Sequence, residues 1–510
     1  MLNPRSLILA QIALLSCYLA VFPLRASASP LQDLIGDTGS TAAMQARTIS
    51  GGSAAAYFNP ALLIDAPSSA LTVGFFILDQ NIGLKLDGRP GTQFSVPEGT
   101  ESFAHADRSK FANYPLPTNF LQFGREKTMA KPAFPARPRQ GAGSGHDTIT
   151  YETVGIVVKA FDDRIALGFH GMIPNGQFTR LRAIFNDERE QYFSNSLHPE
   201  LYSDRVTALS MALGLGIKIT DQLSLGAGAT FALKAGVGAG AYVADTGNLG
   251  AIQLVIDAPV NIGVAPHFGA AFKPSKRLRL TATAHSPVRV EMSSKFKFLL
   301  ANGIEQESGL LFVLDYTPWQ IGAGAAYDLI QDATQTLTLA CTVLYGAWSS
   351  YIDRHGDEPT PAYAWADTVT PTVGLRYELG GFSTSLDLMY TPTPVPPQTG
   401  RTNYVDNDRV TGAVGGQYRF AMFGTNLTVG AQLQAHRLVP RHQTKLPTPT
   451  RPDGAVIAPE RVRDEIPDDA QKSGEPVPGV EGLQTNNPGW PGFGSGGWVV
   501  GGAVYLSIAM

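Results

Sequence analysis

Charge is what this chain has least of. Charged residues occupy 16% of its 510 positions, against roughly 25% in an ordinary soluble domain. Its 39 Lys and Arg face 43 Asp and Glu for a formal net charge of -4. No basic field exists to neutralise phosphates, which excludes nucleic acid as a partner. Cysteine is nearly absent too. Cys17 and Cys341 alone cannot build a disulfide framework, a four-Cys zinc site or a CxxC redox pair. Long apolar runs are the third lack: past residue 28 none reaches the roughly 18 to 20 residues a membrane-spanning helix needs. The motifs of common catalysts are missing as well, with no G-x-S-x-G elbow, H-E-x-x-H, P-loop or EF-hand loop. No enzyme activity, metal or cofactor is expected. His170, His267, His285 and His436 are scattered over separate segments and read as polar lining.

What is present instead is turn chemistry and alternation, with 54 Gly and 36 Pro. The length allows two or three globular domains or one large barrel. Residues 1–28 carry Arg5, an apolar run from Leu7 to Leu15 continuing to Phe22, and Ala26-Ser27-Ala28. That is the pattern of a signal peptide, with the mature chain expected to begin at Ser29. Leu14-Leu15-Ser16-Cys17 offers a competing lipoprotein processing site, in which Leu15 is bulky for its place. An exported chain without apolar helices is periplasmic, secreted or a barrel.

Period two separates these. From Gln222 to Lys234 one face reads Leu223, Leu225, Ala227, Ala229, Phe231 and Leu233, and the other Ser224, Gly226, Gly228, Thr230, Ala232 and Lys234. A strand with lipid on one side and a lumen on the other needs this alternation. It recurs in fourteen spans, near 69–80, 149–160, 164–178, 204–219, 222–235, 260–273, 278–290, 310–327, 335–348, 367–378, 382–392, 408–420, 426–437 and 497–510. Short connections such as Phe161-Asp162-Asp163 and Thr220-Asp221 alternate with long ones, the mark of short periplasmic turns and long external loops. Trp319 with Tyr327, and Phe382 with Tyr390, are each eight residues apart. At ~3.3 Å per residue and ~40° tilt each pair spans roughly 20 Å of the ~25 Å apolar band, as aromatic girdles do. The expected fold class is all-β: a 14-stranded antiparallel transmembrane β-barrel of the cell outer membrane. A periplasmic sandwich or propeller also alternates, but requires neither uncharged outer faces nor this asymmetry of turns and loops.

Residues 29–66 lack period two and are rich in Ala, Gly, Ser and Thr. Small residues permit tight packing against a lumen wall, so an N-terminal hatch or plug is expected here, followed by a barrel over 67–510. The stretches 83–147 and 438–496 are long, Pro-rich and charged, and are expected as external loops.

Several short motifs are ordered along residues 36 to 437: Tyr57-Phe58-Asn59-Pro60-Ala61, Ile173-Pro174-Asn175-Gly176, Thr317-Pro318, Ala347-Trp348-Ser349, Thr393-Pro394-Val395-Pro396 and Asp406-Asn407-Asp408-Arg409. In order and spacing the chain resembles the FadL family, outer-membrane transporters of long-chain fatty acids and other hydrophobic compounds. The resemblance implies a fourteen-stranded barrel closed by a hatch whose turn is Asn59, Pro60 and Ala61. It also implies a kink in strand three at Pro174, Asn175 and Gly176 that opens a lateral gap in the wall. Independently of family, Pro has no N–H for the ladder and Gly tolerates positive φ, so this tripeptide should interrupt a central strand. The chain departs from the family where acidic residues are usual: Gly51-Gly52-Ser53 and Thr391-Pro392 stand there, and the last residue is Met510 where Phe is usual.

The expected function is passive uptake of a hydrophobic or amphipathic ligand by a monomer in outer-membrane lipid. The ligand-binding candidates are Arg409, at the upper start of strand twelve, with His285 and Asp387, which strand parity turns inward, and Trp348. An acid-binding lumen needs such a cation or donors, since an unpaired buried carboxylate is strongly disfavoured. Two rivals stay open: a general diffusion porin, which needs an open charged eyelet, and an adhesion protein working through the long loops. An outer-membrane hydrolase is a weaker third, because no nucleophile and base can be paired.

Overall fold

A strand in lipid is stable only if every backbone N–H and C=O finds a partner, and a sheet closed on itself leaves no edge. Fourteen strands of this chain do so: β1 Ala70–Leu86, β2 Ala142–Ala160, β3 Ile165–Pro174, β4 Leu209–Lys218, β5 Leu223–Ala235, β6 Val260–Phe272, β7 Leu278–His285, β8 Gln320–Gln331, β9 Gln335–Gly346, β10 Thr368–Leu379, β11 Phe382–Thr391, β12 Arg409–Met422, β13 Thr425–Thr444 and β14 Gly492–Ala509. The ring closes where β1 runs antiparallel to β14, from Ala70↔Ala509 to Leu86↔Phe493. The computed structural model describes residues 30–86, 142–176, 184–185, 196–199, 201, 206, 208–235, 238–243, 252–257, 260–300, 305–352, 358–359, 364–397, 404–422, 424–444 and 492–510. The expected signal peptide and most of the two expected loops lie outside these residues.

Alternation sorts the two faces. Leu213, Leu225, Ile262, Phe268, Ile321, Leu388, Leu433 and Val504 are exposed on the outside, and the expected girdle residues Trp319, Tyr327, Phe382 and Tyr390 are exposed with them. Thr230, Thr283, Thr342, Thr370 and Thr411 are buried on the inside. Among the described residues no helix is long and apolar enough to cross a membrane. This is a barrel of the outer-membrane type.

The strand count expected from the sequence is the observed one, but two of the spans are each two elements. The 278–290 and 310–327 spans break at Ser286-Pro287 and Pro318-Trp319. Below the breaks lie β7 and β8; beyond them Val288–Leu300 and Glu305–Thr317 leave the wall and join Gly238–Val243 and Ile252–Asp257 in a separate four-stranded sheet. Proline cannot donate to the ladder, so the wall ends at Pro287 and Pro318. Alternation runs on regardless, which is why period two alone misses the departure. β1, β2, β13 and β14 also run further outward than expected, into both ends of the two loop stretches.

The lumen is filled by residues 31–66, nearly all buried. They form short helices α1 Pro30–Ile35, α2 Ala46–Ile49 and α3 Ala55–Phe58, then a 3-10 helix Pro60–Asp65. Asn59 caps that 3-10 helix: its side chain accepts from the Ala61 N–H at 3.2 Å, with Pro60 at the first helical position, where a missing N–H costs nothing. The wall makes room by omitting side chains. A Cβ on Gly226 would stand 2.3 Å from the Ala61 nitrogen, and one on Gly269 2.0 Å from the Asn59 amide oxygen.

Candidate ligand passage

The hatch is held by a buried polar network. Arg47 of α2 pairs with Asp33 of α1 at 2.7 Å, reaches the Gln320 amide oxygen on β8 at 3.1 Å, and lies 2.8 Å from the His285 Nε2 on β7. Asp33 also accepts from the Gln320 Nε2 at 2.6 Å and from the Tyr57 hydroxyl at 3.1 Å. Burial first, then the Asp33 carboxylate, pushes the Tyr57 hydroxyl well above its ordinary value and keeps it a donor. His285 stacks on His267, centroids 4.9 Å apart, and the His267 Nε2 lies 2.6 Å from the Ala56 carbonyl. On the opposite wall Asp387 accepts from the Met44 N–H at 2.9 Å. His285 and Asp387 do point inward, as strand parity indicates, but both hold the hatch instead of facing open space.

Trp348 and Arg409 come together. Both line a cavity of about 80 Å³ above the hatch, floored by Asp33 and Leu34 and walled by Leu344, Thr370 and Met389. Arg409 makes no ion pair among the described residues. The neighbouring Asp408 accepts instead from the Tyr390 hydroxyl and the Thr393 N–H, both at 2.8 Å. Above the cavity Trp348 belongs to an aromatic cluster: Tyr351 stacks on Trp365 with centroids 3.5 Å apart, and Trp348 lies 5.6 Å from Trp365. At this outer end Asp406 is buried, which raises its carboxyl to about 6 against the opposing pull of Arg409.

β3 ends at Pro174, with Asn175 and Gly176 following it. β3 and β4 pair only up to Met172↔Ser210, and β2 and β3 up to Tyr151↔Pro174. The Asn175 N–H still reaches the Thr150 carbonyl at 2.8 Å, and Gly176 has φ +78°. Behind this end of β3, Leu31 and Ile35 of α1 pack with Tyr151, Met172 and Val206, all without exposure. The Tyr151 hydroxyl donates to the Val206 carbonyl at 2.5 Å.

Sequence reasoning missed Asp33, Arg47, Tyr151 and the Tyr351–Trp365 stack. One signal was available: Arg47 is the only cation among residues 29–66, alongside Asp33, Asp37 and Asp65.

No family model matches the chain, and no curated protein matches it in sequence. Among solved structures, a Pseudomonas aeruginosa FadL homologue aligns with a TM-score of 0.53 at 15% identity, over 95% of this chain and 98% of that one. The chain has the fold of a FadL homologue. The P. putida toluene transporter TodX gives a TM-score of 0.44 at 11% identity over 95% and 99% of the two chains. The Ralstonia pickettii toluene transporter TbuX gives 0.42 at 12% over 96% and 100%. The alignment with the FadL homologue covers nearly the whole chain.

Proposed function

We propose that this FadL-type barrel is an outer-membrane transporter for passive uptake of hydrophobic or amphipathic compounds, long-chain fatty acids among them, with release sideways through the interruption in β3. Leu34 is the observation that carries the reading. It floors the cavity beneath Trp348 and Arg409 and also belongs to the apolar cluster behind Pro174. One helix turn therefore separates the outer compartment from the weak point in the wall.

A cavity of about 80 Å³ is far below the roughly 300 Å³ of the smaller ligand pockets, so this is a closed state. Uptake requires the aromatic cluster or α1 to move. An acid entering the cavity loses water, which costs several kcal/mol unless a partner is supplied; Arg409 supplies it. Passage consumes no cofactor and breaks no bond, and the filled lumen weighs against a general diffusion porin. The short turns then face the periplasm.

The test is uptake into proteoliposomes of a long-chain acid and of its methyl ester. Arg409→Gln should weaken uptake of the acid and spare the ester. Equal loss of both, or loss of neither, removes Arg409 from the passage. No uptake of either compound by the parent protein defeats the transporter reading itself.

A further inference from the structure

Several short connections at the inner rim balance their own charges. Lys159 pairs with Asp163 at 3.3 Å, Lys218 with Asp221 at 2.7 Å and Arg376 with Glu378 at 2.9 Å. The β6–β7 connection instead reads Lys273-Pro274-Ser275-Lys276-Arg277-Leu278-Arg279, four cations and no acid. Its acidic partner comes from the hatch: the Asp65 carboxylate sits between the Lys273 Nζ at 2.5 Å and the Arg279 guanidinium at 3.0 Å. Lys276 and Arg277 are exposed, and among the described residues neither makes an ion pair. All four line one recess of about 510 Å³ beneath the hatch, whose floor includes the small residues Gly51, Gly52 and Ser53.

A pair of cations holding one carboxylate, with two more cations beside it, has capacity left over. We propose that this recess is an anion-binding site for carboxylate or phosphate groups, in which Asp65 is the built-in occupant and Lys276 and Arg277 receive an external one. Charge-assisted bonds of this kind are short and strong where water is partly excluded. A half-enclosed recess with an excess of one sign concentrates counter-ions, and here Arg376 and Arg419 join the four cations against Asp65, Asp328 and Glu378. The external anion competes with Asp65 for Lys273 and Arg279. Occupancy therefore loosens the end of the hatch from β6 and β7. Two sources carry the chemistry: a free long-chain acid, or the headgroup of an anionic phospholipid.

Calorimetric titration of the full chain in neutral detergent with inorganic phosphate tests this. Saturable binding is expected, weakened tenfold or more by Lys276→Gln with Arg277→Gln, whose side chains are exposed. Asp65→Asn should tighten it fivefold or more by removing the competitor. Identical titrations of the parent and the double variant overturn the site. So does an Asp65→Asn protein that folds but binds no more tightly. Repeating the titration in nanodiscs assigns the source: loss of phosphate binding in phosphatidylglycerol but not phosphatidylcholine points to the headgroup, and displacement by a long-chain acid points to the free acid. Phosphate displaced by neither also overturns the proposal.

Discussion

The wall of this barrel is strong on one side and weak on another. β1 and β14 pair over seventeen residues, from Ala70 to Leu86, whereas among the described residues β3 and β4 pair over eight, from Ile165 to Met172, and β6 and β7 over six, from His267 to Phe272. The long seam joins the two ends of the barrel, and its Phe76, Leu78, Val499 and Ala503 share one apolar cluster with Leu31 and Ile35 of α1. The β3–β4 seam ends at a Pro-Asn-Gly tripeptide, and Tyr151 and Met172 beside it belong to that same cluster. Unpaired backbone in lipid is expensive, and at the end of β3 the Asn175 N–H still finds the Thr150 carbonyl. α1 fills the lumen and packs against both seams from within.

The largest expected effect comes from removing the hatch altogether. Deleting Leu31 to Ala61 should convert low conductance in planar bilayers into an open pore, and unchanged conductance would show that these residues occlude nothing. Extending the β3–β4 seam is the second test. Replacing Pro174-Asn175-Gly176 with Val-Thr-Val should keep the barrel assembled, judged by faster migration of unboiled samples, and reduce hydrophobic uptake at least tenfold. Parental uptake would favour an axial route instead. Arg47→Met leaves the half-buried Asp33 without its cation; removing one partner of a fully buried pair costs about 3–5 kcal/mol, and the partial exposure of Asp33 puts this loss below that range. Protease cleavage within residues 30–66 should then rise while the barrel stays resistant. Smallest is a pH effect at the outer end. Burial raises the Asp406 carboxyl to about 6, above its unfolded value of roughly 3.9, so between those values the folded chain binds more protons and stability falls as pH rises. Corrected for the base catalysis of exchange itself, protection of the amides around Asn407 should be greater near pH 5 than at pH 7, and Asp406→Asn should flatten the difference.

The barrel was legible because alternation is imposed residue by residue: Leu223 to Lys234 could be sorted into lipid and lumen faces without knowing the neighbouring strand. The strand count followed from the same local chemistry. Departure of Val288–Leu300 from the wall was not legible, since its pattern continues that of β7. The network around Arg47 was hidden for a different reason. Its members at 33, 47, 57, 285 and 320 meet only after the barrel closes, and no local pattern encodes that meeting. His285 and Asp387 were correctly turned inward, yet parity cannot tell whether the lumen before them is empty or filled. Trp348 and Arg409 were named as separate candidates, and that they line one cavity was not legible, since neither segment's own pattern pairs them.

The proline joints at Pro287 and Pro318 have a mechanical side. His285 and Gln320, the two wall residues that grip Arg47, stand two residues from those joints. The hairpin beyond them, with its two companion strands, stands outside the wall like a handle whose stem is bolted to the clasp of the hatch. A force applied to that sheet from outside is delivered first to the two side chains that keep the hatch shut, without having to bend the barrel at all.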